Sequence, residues 1–218
     1  MGQRRGGARM TALTPLKPLT VSRSELILGG QKSGKSRRAE SQALAWLAQS
    51  PAHHAVLIAT AQAWDGEMHL RIARHQADRV VRVPGMRTVE EPLRLAHAIG
   101  EHSRADTLVV VDCLTLWLTN CLMPHKPASD SAQEDLQSTR SLVDVDSGLV
   151  ATLLVAIAAA PGPVVLVGNE IGLGVIPLGA EVRAFVDALG LLNQGVAGVC
   201  ERVVLMAASL PLVLKGSL

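Results

Sequence analysis

Short aliphatic runs alternate along the chain with longer stretches whose apolar positions recur every three or four residues. Glu25–Leu28, Ala55–Ala59, Val80–Val83, Thr107–Val111, Val164–Val167 and Arg202–Met206 are compact and nearly continuous in hydrophobic character. That is the pattern of strands buried on both faces. Helices are predicted between them: Ser36–Gln49, with Ala39, Ala43, Leu44 and Leu47 as its apolar stripe, then Glu67–Gln76, Glu90–His102, Leu114–Met123, Leu149–Ala159 and Val182–Val199. Alternation of this kind predicts an α/β domain, a mostly parallel central sheet with helices on both faces. Residues 1–23 mix Gly, Arg, Thr and Pro without periodicity and read as a disordered basic tail, leaving 24–218 as the folded domain. The polar stretch 124–147 reads as partly mobile.

Composition narrows the function. The 218 residues are 48% hydrophobic and only 18% charged, which fits one core-bearing domain and excludes disorder over most of the length. The net charge is +2, but Arg4, Arg5, Arg9, Lys17 and Arg23 fall in a tail without acids, so the body is slightly acidic. With one Phe, three Trp and no Tyr, it lacks both the charge and the stacking platforms of a nucleic-acid binder. Cys113, Cys121 and Cys200 are widely spaced and suggest neither a disulfide framework nor a zinc site; a reducing cytoplasm suits them. No apolar stretch follows the basic N-terminus, so it is not a secretory signal. Gly148–Ala160 is the most apolar segment and is too short to span a bilayer.

The first strand runs into Gly29-Gly30-Gln31-Lys32-Ser33-Gly34-Lys35-Ser36. This is a complete G-x-x-x-x-G-K-S phosphate loop in its strand–loop–helix setting. Gly29 and Gly34 let successive N–H groups turn inward toward phosphate oxygens, and the helix that follows adds its positive dipole end. Lys35 offers an ammonium to the β and γ phosphates, and Ser36 a hydroxyl to Mg²⁺. Asp112 closes the Thr107–Val111 strand, where open α/β sheets bind ligands. It can hold Mg²⁺ or cap the next helix; its strand-end position favours the metal. The residues themselves therefore indicate a P-loop NTPase (RecA-like) domain that binds Mg-nucleotide, without naming the reaction.

Further segments, in order, narrow that choice: Ile58-Ala59-Thr60-Ala61-Gln62; Glu67-Met68 followed by Arg71-Ile72, His75 and Arg79; Thr88-Val89-Glu90-Glu91-Pro92; Asp112-Cys113-Leu114-Thr115 to Asn120; and Asn169-Glu170-Ile171-Gly172-Leu173-Gly174-Val175-Ile176-Pro177. A last patch carries Arg183, Phe185, Asp187, Gly190, Asn193 and Gln194. Over residues 25–216 the chain resembles the bifunctional adenosylcobinamide kinases/adenosylcobinamide-phosphate guanylyltransferases of cobalamin biosynthesis (the CobU/CobP type). The resemblance implies two reactions. ATP or GTP phosphorylates the aminopropanol hydroxyl of adenosylcobinamide; GTP then gives GMP to that phosphate, releasing pyrophosphate and forming adenosylcobinamide-GDP. It also implies a GMP–histidine intermediate at His75, nucleotide contacts at Thr60, Ala61, Gln62, Gln76, Ala77, Asp78, Arg79, Glu90 and Asp112, a substrate loop at Asn169 and Glu170, and a homotrimer.

The chemistry of His75 suits that role, since a neutral imidazole is a good nucleophile toward an α-phosphate. Arg71, Arg74 and Arg79 surround it in sequence and either steady the triphosphate or are plain surface charges. Glu90 or Glu91 can accept from guanine N1–H and its 2-amino group. His53 and His54 read as loop residues, His69, His97, His102 and His125 have no partner at useful spacing, and Trp46, Trp64 and Trp117 read as packing, although Trp64 beside Asp65 sits in a segment that could reach a ligand. The chain departs from the family pattern where Leu191 and Gly195 replace basic positions and Ala61 replaces a hydroxyl. A P-loop kinase without guanylyl transfer, or a non-catalytic nucleotide switch, would retain the phosphate loop and use His75 for nothing.

Overall fold

The computed structural model describes residues 19–62, 66–123, 147–175 and 177–218. Its elements in chain order are β1 (Ser24–Gly29), α1 (Lys35–Leu47), β2 (His54–Ala59), α2 (Gly66–Arg82), β3 (Arg87–Glu90), α3 (Leu95–His102), β4 (Thr107–Asp112), α4 (Leu114–Leu122), α5 (Ser147–Ala159), β5 (Val164–Val167), α6 (Ala180–Val199), β6 (Arg202–Ala207) and β7 (Leu210–Lys215). The strands form one sheet in the order β3-β2-β4-β5-β1-β6-β7. All neighbours run parallel except β6 and β7.

The period of two along each strand splits the core. Leu26 and Leu28 face the layer built from α3, α4, α5 and α6, while Ile27 faces Ala39 and Ala43 of α1. The expected parallel α/β sheet covered on both faces is the observed one. Of the predicted α1 stripe, Ala39 and Ala43 are buried and Leu44 is exposed. Trp117 packs in the core and its Nε1 donates to the Leu93 carbonyl; Trp46 stacks on His53 at a ring distance of 3.8 Å. Trp64 and His125 lie outside the described residues, as does 124–146.

Two expectations about elements are corrected, and one element was not expected. Val80–Val83 is not a strand. It closes α2, with Val80 and Val81 exposed and only Val83 buried, and the strand follows at β3 after the Pro84-Gly85 turn. Gly85 adopts φ +90°, so this turn makes the break that the valines disguise. Residues 90–94 are not helical: Glu90 ends β3, and the Glu91 carboxylate accepts from the N–H groups of Leu93 and Arg94 just before α3. Finally, β7 is an unpredicted antiparallel edge strand. It carries Pro211, which an edge tolerates.

Glu25 is fully buried inside β1, among apolar neighbours. Its carboxylate pairs with Arg38 at 2.7 Å and with Arg202 at 2.9 Å, and accepts from the Gln42 amide. Arg202 also donates to the Thr20 carbonyl and hydroxyl. Arg23 donates to the Ala160 carbonyl at 3.0 Å, and its amide to Glu201. Residues 19–23, expected to belong to the loose tail, are therefore tied to the sheet; residues 1–18 lie outside the described residues.

Candidate active site

The C-terminal ends of β1, β2, β4 and β5 lie at one edge of the sheet, where the phosphate loop leaves β1. Between β1 and α1 the backbone turns through Gly29 at φ +150°, Lys32 at φ +56° and Gly34 at φ +99°. A Cβ on Gly29 would lie 2.5 Å from the Met206 carbonyl oxygen, and one on Gly34 would lie 2.9 Å from the Ser209 hydroxyl. Both glycines are thus required by close approach as well as by backbone angle. The β6–β7 turn braces the loop from behind, with the Ser209 amide donating to the Ser33 carbonyl at 3.0 Å. Nothing in the sequence signalled this contact.

Lys35 is buried at the start of α1, and its ammonium donates to the Gly30 carbonyl at 2.6 Å, within the loop. Burial pulls its pKa below the ordinary lysine value, opposed by the nearby Cys113 and Asp112. Ser36 stands in the first turn of α1, half-buried. Asp112 ends β4, one strand removed from β1 across β5. Burial and the Asp112 carboxylate push Cys113 up to about 11, so this thiol is inert at neutral pH. Among the described residues no three His, Cys, Asp or Glu side chains gather as a metal cage. Ser36 and Asp112 offer two hard oxygen donors, the kind a cation already held by phosphate oxygens accepts.

Thr60 follows β2 and is fully buried. Its hydroxyl donates to the Cys113 carbonyl at 2.7 Å and accepts from the Cys113 amide at 2.9 Å. This side chain, expected at the nucleotide, is a rivet between β2 and the end of β4. Ala61 and Gln62 come next and are half-buried. Asn120 of α4 donates to the carbonyls of Thr60 and Pro92 at 2.8 and 3.2 Å, holding the segments after β2 and β3 together. Glu91 is spent on the start of α3. Burial raises its pKa, but the Arg94 and Leu93 amides and the Arg94 guanidinium outweigh that and leave it below the ordinary glutamate value. Glu90 is the exposed acid, and it accepts from Gln76 of α2 at 3.1 Å.

The position of α2 follows from its ion pairs. Arg82 binds Glu40 of α1 at 2.9 Å and Asp78 at 2.8 Å. Both helices precede parallel strands, so both run down from the same sheet edge. Stepping back along each from this contact leads to Ser36 on α1 and to Arg79 on α2, about 6 and 4.5 Å along the axes. Arg79 is buried, and its Nε and Nη1 have no hydrogen-bond partner among the described residues. Buried guanidinium nitrogens that no described residue satisfies are costly, and an anion would satisfy them. His75 lies one turn earlier in α2. Ala77 and Asp78 are exposed, and Asp78 is taken by Arg82.

The loop after β5 completes the edge. The Gly168 amide donates to the Ile27 carbonyl and the Glu170 amide to the Gly29 carbonyl, at 3.0 and 3.2 Å. The Asn169 amide donates to the Thr115 hydroxyl, and Asn193 of α6 donates to the Asn169 carbonyl at 3.1 Å. Thr115 and Asn193 thus hold Asn169 and Glu170 against the phosphate loop; both lay inside the sequence motifs without an assigned role. Residues 25–214 match the family model described as cobinamide kinase / cobinamide phosphate guanyltransferase. The chain belongs to that family.

As a member of the cobinamide kinase / guanyltransferase family, it is an enzyme of cobalamin biosynthesis. It is 43% identical over 192 residues to the bifunctional adenosylcobalamin biosynthesis protein CobP of Pseudomonas aeruginosa, covering 88% of this chain and 97% of that one. It is 32% identical to the CobU protein of Salmonella typhimurium and 30% to that of Escherichia coli, each over 190 residues, 87% of this chain and 98% of theirs. In structure, flagellar accessory protein FlaH of Methanocaldococcus jannaschii aligns with a TM-score of 0.44 at 10% identity, over 89% of this chain and 78% of that one. No helix among the described residues is long and apolar enough to cross a membrane.

Two of the three expected departures from the family pattern, Leu191 and Gly195, fall on α6. A Cβ on Gly195 would lie 3.3 Å from Leu154 Cδ1, so α5 packs closely against this glycine. Leu191 is exposed and contributes nothing to the core.

Proposed function

We propose that the chain carries out both family reactions at one edge of the sheet. In the first, the aminopropanol hydroxyl of adenosylcobinamide attacks the γ-phosphorus of ATP or GTP; its oxygen gains the phosphoryl group, the hydroxyl proton is lost, and the nucleoside diphosphate leaves. In the second, an imidazole nitrogen of His75 attacks the α-phosphorus of GTP, forming the P–N bond as the bond to pyrophosphate breaks. The phosphate of adenosylcobinamide phosphate then attacks the same phosphorus, releasing the imidazole and giving adenosylcobinamide-GDP.

The observation that supports this reading is buried Arg79, whose Nε and Nη1 have no partner among the described residues, one turn from His75 on a helix that Arg82 pairs to Glu40 of α1. Its N–H groups would take the charge that grows on the leaving pyrophosphate. The main-chain amides of Gly30, Gln31, Lys32, Ser33 and Gly34 and the Lys35 ammonium would hold the β and γ phosphates. Ser36 and Asp112 would hold Mg²⁺, which fits their oxygen donors and offsets the charge of the phosphates. Glu90 would read the guanine edge. Asn169 and Glu170, with Thr60, Ala61, Gln62 and Gln76, would shape the pocket. A homotrimer in the cytoplasm is part of the same proposal.

The test is product analysis with adenosylcobinamide and GTP. Wild type is expected to give adenosylcobinamide-GDP and pyrophosphate. Lys35→Ala should give neither product, and His75→Ala should stop at adenosylcobinamide phosphate. A His75→Ala variant that still forms the GDP adduct at the wild-type rate rules out the histidine route.

A further inference from the structure

Beyond Glu170 the chain does something unusual for a structured loop. It presents large aliphatic side chains to the outside, Val175 at 95% and Leu178 at 97% exposure, with Leu173 and Val182 also exposed. The loop is nevertheless built. The Gly172 amide donates to the Glu170 carboxylate at 3.2 Å, and Arg183 of α6 donates to the carbonyls of Pro177 and Leu178. Between this loop and the first turns of α6 lies a cleft of about 290 Å³. Ile171, Val175 and Pro177 line one wall, and Arg183, Val186 and Asp187 the other. The Asp187 carboxylate makes no hydrogen bond or ion pair with the described residues. The loop that walls the cleft begins beside the phosphate loop, because the Glu170 amide donates to the Gly29 carbonyl at 3.2 Å.

We propose that this cleft and its apolar rim seat the corrin ring of the acceptor, with Asp187 accepting a hydrogen bond from a ring-edge carboxamide. The inference rests on the function proposed above. That acceptor is a broad macrocycle, methylated on its faces and fringed with neutral amides, and its reacting hydroxyl sits at the end of a short arm. A site phosphorylating that hydroxyl needs an apolar shelf next to the phosphate loop with a few hydrogen-bonding groups set into it. The loop after β5 supplies one. An exposed aliphatic patch of this kind on a structured loop marks a binding surface. Its one guanidinium is turned onto its own backbone, leaving a carboxylate suited to amide donors and unsuited to an anionic ligand.

Val175→Asp and Asp187→Ala test the assignment, since both side chains are exposed and their replacement spares the core. Each should raise KM for adenosylcobinamide by about tenfold or more. Each should leave KM for GTP, the GMP adduct formed with GTP alone, and the sedimentation coefficient as in wild type. Equilibrium dialysis of adenosylcobinamide should show the same loss of binding. Unchanged KM and unchanged dialysis in both variants overturn the proposal. A shifted sedimentation coefficient with all steps weakened together also overturns it, by making the patch a contact between copies. A wild type that neither phosphorylates the corrinoid nor forms the adduct refutes the proposed function instead; an active wild type with indifferent variants refutes only the cleft.

Discussion

The amide of Ser209 donates to the carbonyl of Ser33 at 3.0 Å, which seats the turn between the last two strands directly on the phosphate loop. Ser209 has φ +65° and Ala208 φ +51°, both in the left-handed region. Ser209→Gly keeps the amide and relieves the angle, so it should leave KM for GTP unchanged and raise the melting temperature slightly. Ser209→Pro removes the amide and cannot adopt the angle, so KM for GTP should rise while the sheet persists by circular dichroism. Equal KM values in the two variants would show that the brace is idle.

Arg79 separates stability from catalysis. Its Nε and Nη1 make no hydrogen bond with the described residues, so Arg79→Met sacrifices none with them and removes a buried charge. The variant should melt no lower than wild type. Formation of the GMP adduct should slow by about 10² to 10³, the usual cost of losing a donor to developing negative charge. Rapid-quench labelling and a melting curve on the same sample check both statements.

Lys35 predicts a pH effect of defined sign. Its folded pKa lies below the unfolded value, chiefly through burial. The unfolded chain therefore holds the proton more tightly, and wild type carries a penalty that is complete below the folded pKa. The penalty fades as pH rises through the folded pKa and is gone above the ordinary lysine value of 10.5. Lys35→Met should be at least as stable as wild type at pH 7 and lose that advantage toward pH 10.5, while kinase activity is absent throughout. Urea denaturation across the alkaline range measures this.

Glu25 is the costliest single charge to disturb. It has no exposure and meets Arg38, Arg202 and Gln42. Glu25→Ala leaves two buried guanidinium groups without their anion and should cost about 3–5 kcal/mol. The urea midpoint should fall with the slope unchanged.

Much of this was legible before the fold. The continuous aliphatic run Val164–Val167 located β5 to the residue, and similar runs located β1, β2, β4 and β6 with bounds one residue short at one or both ends, because a strand buried on both faces has no polar alternative. Val80–Val83 misled for the same reason: two exposed valines on α2 mimic a core strand until the Pro84-Gly85 turn is given its weight. β7 escaped because an edge strand with Pro211 and exposed leucines lacks the buried pattern. At the site, local motifs pointed to Gly29–Ser36 and Asp112, whose proposed roles rest on neighbours in sequence. Thr115, Asn193 and Ser209 act across the sheet, at separations that no spacing rule reaches. Thr60 fits the motif, yet its hydroxyl is committed to Cys113.

The account turns on a covalent bond between the imidazole of His75 and the α-phosphate of GTP. Incubating wild type with α-labelled GTP, without corrinoid, should give a labelled protein whose label is lost in acid, survives base and is absent from His75→Ala; γ-labelled GTP should leave no label. Catalytically competent protein that carries no α-label, or a His75→Ala variant labelled as heavily as wild type, would contradict it.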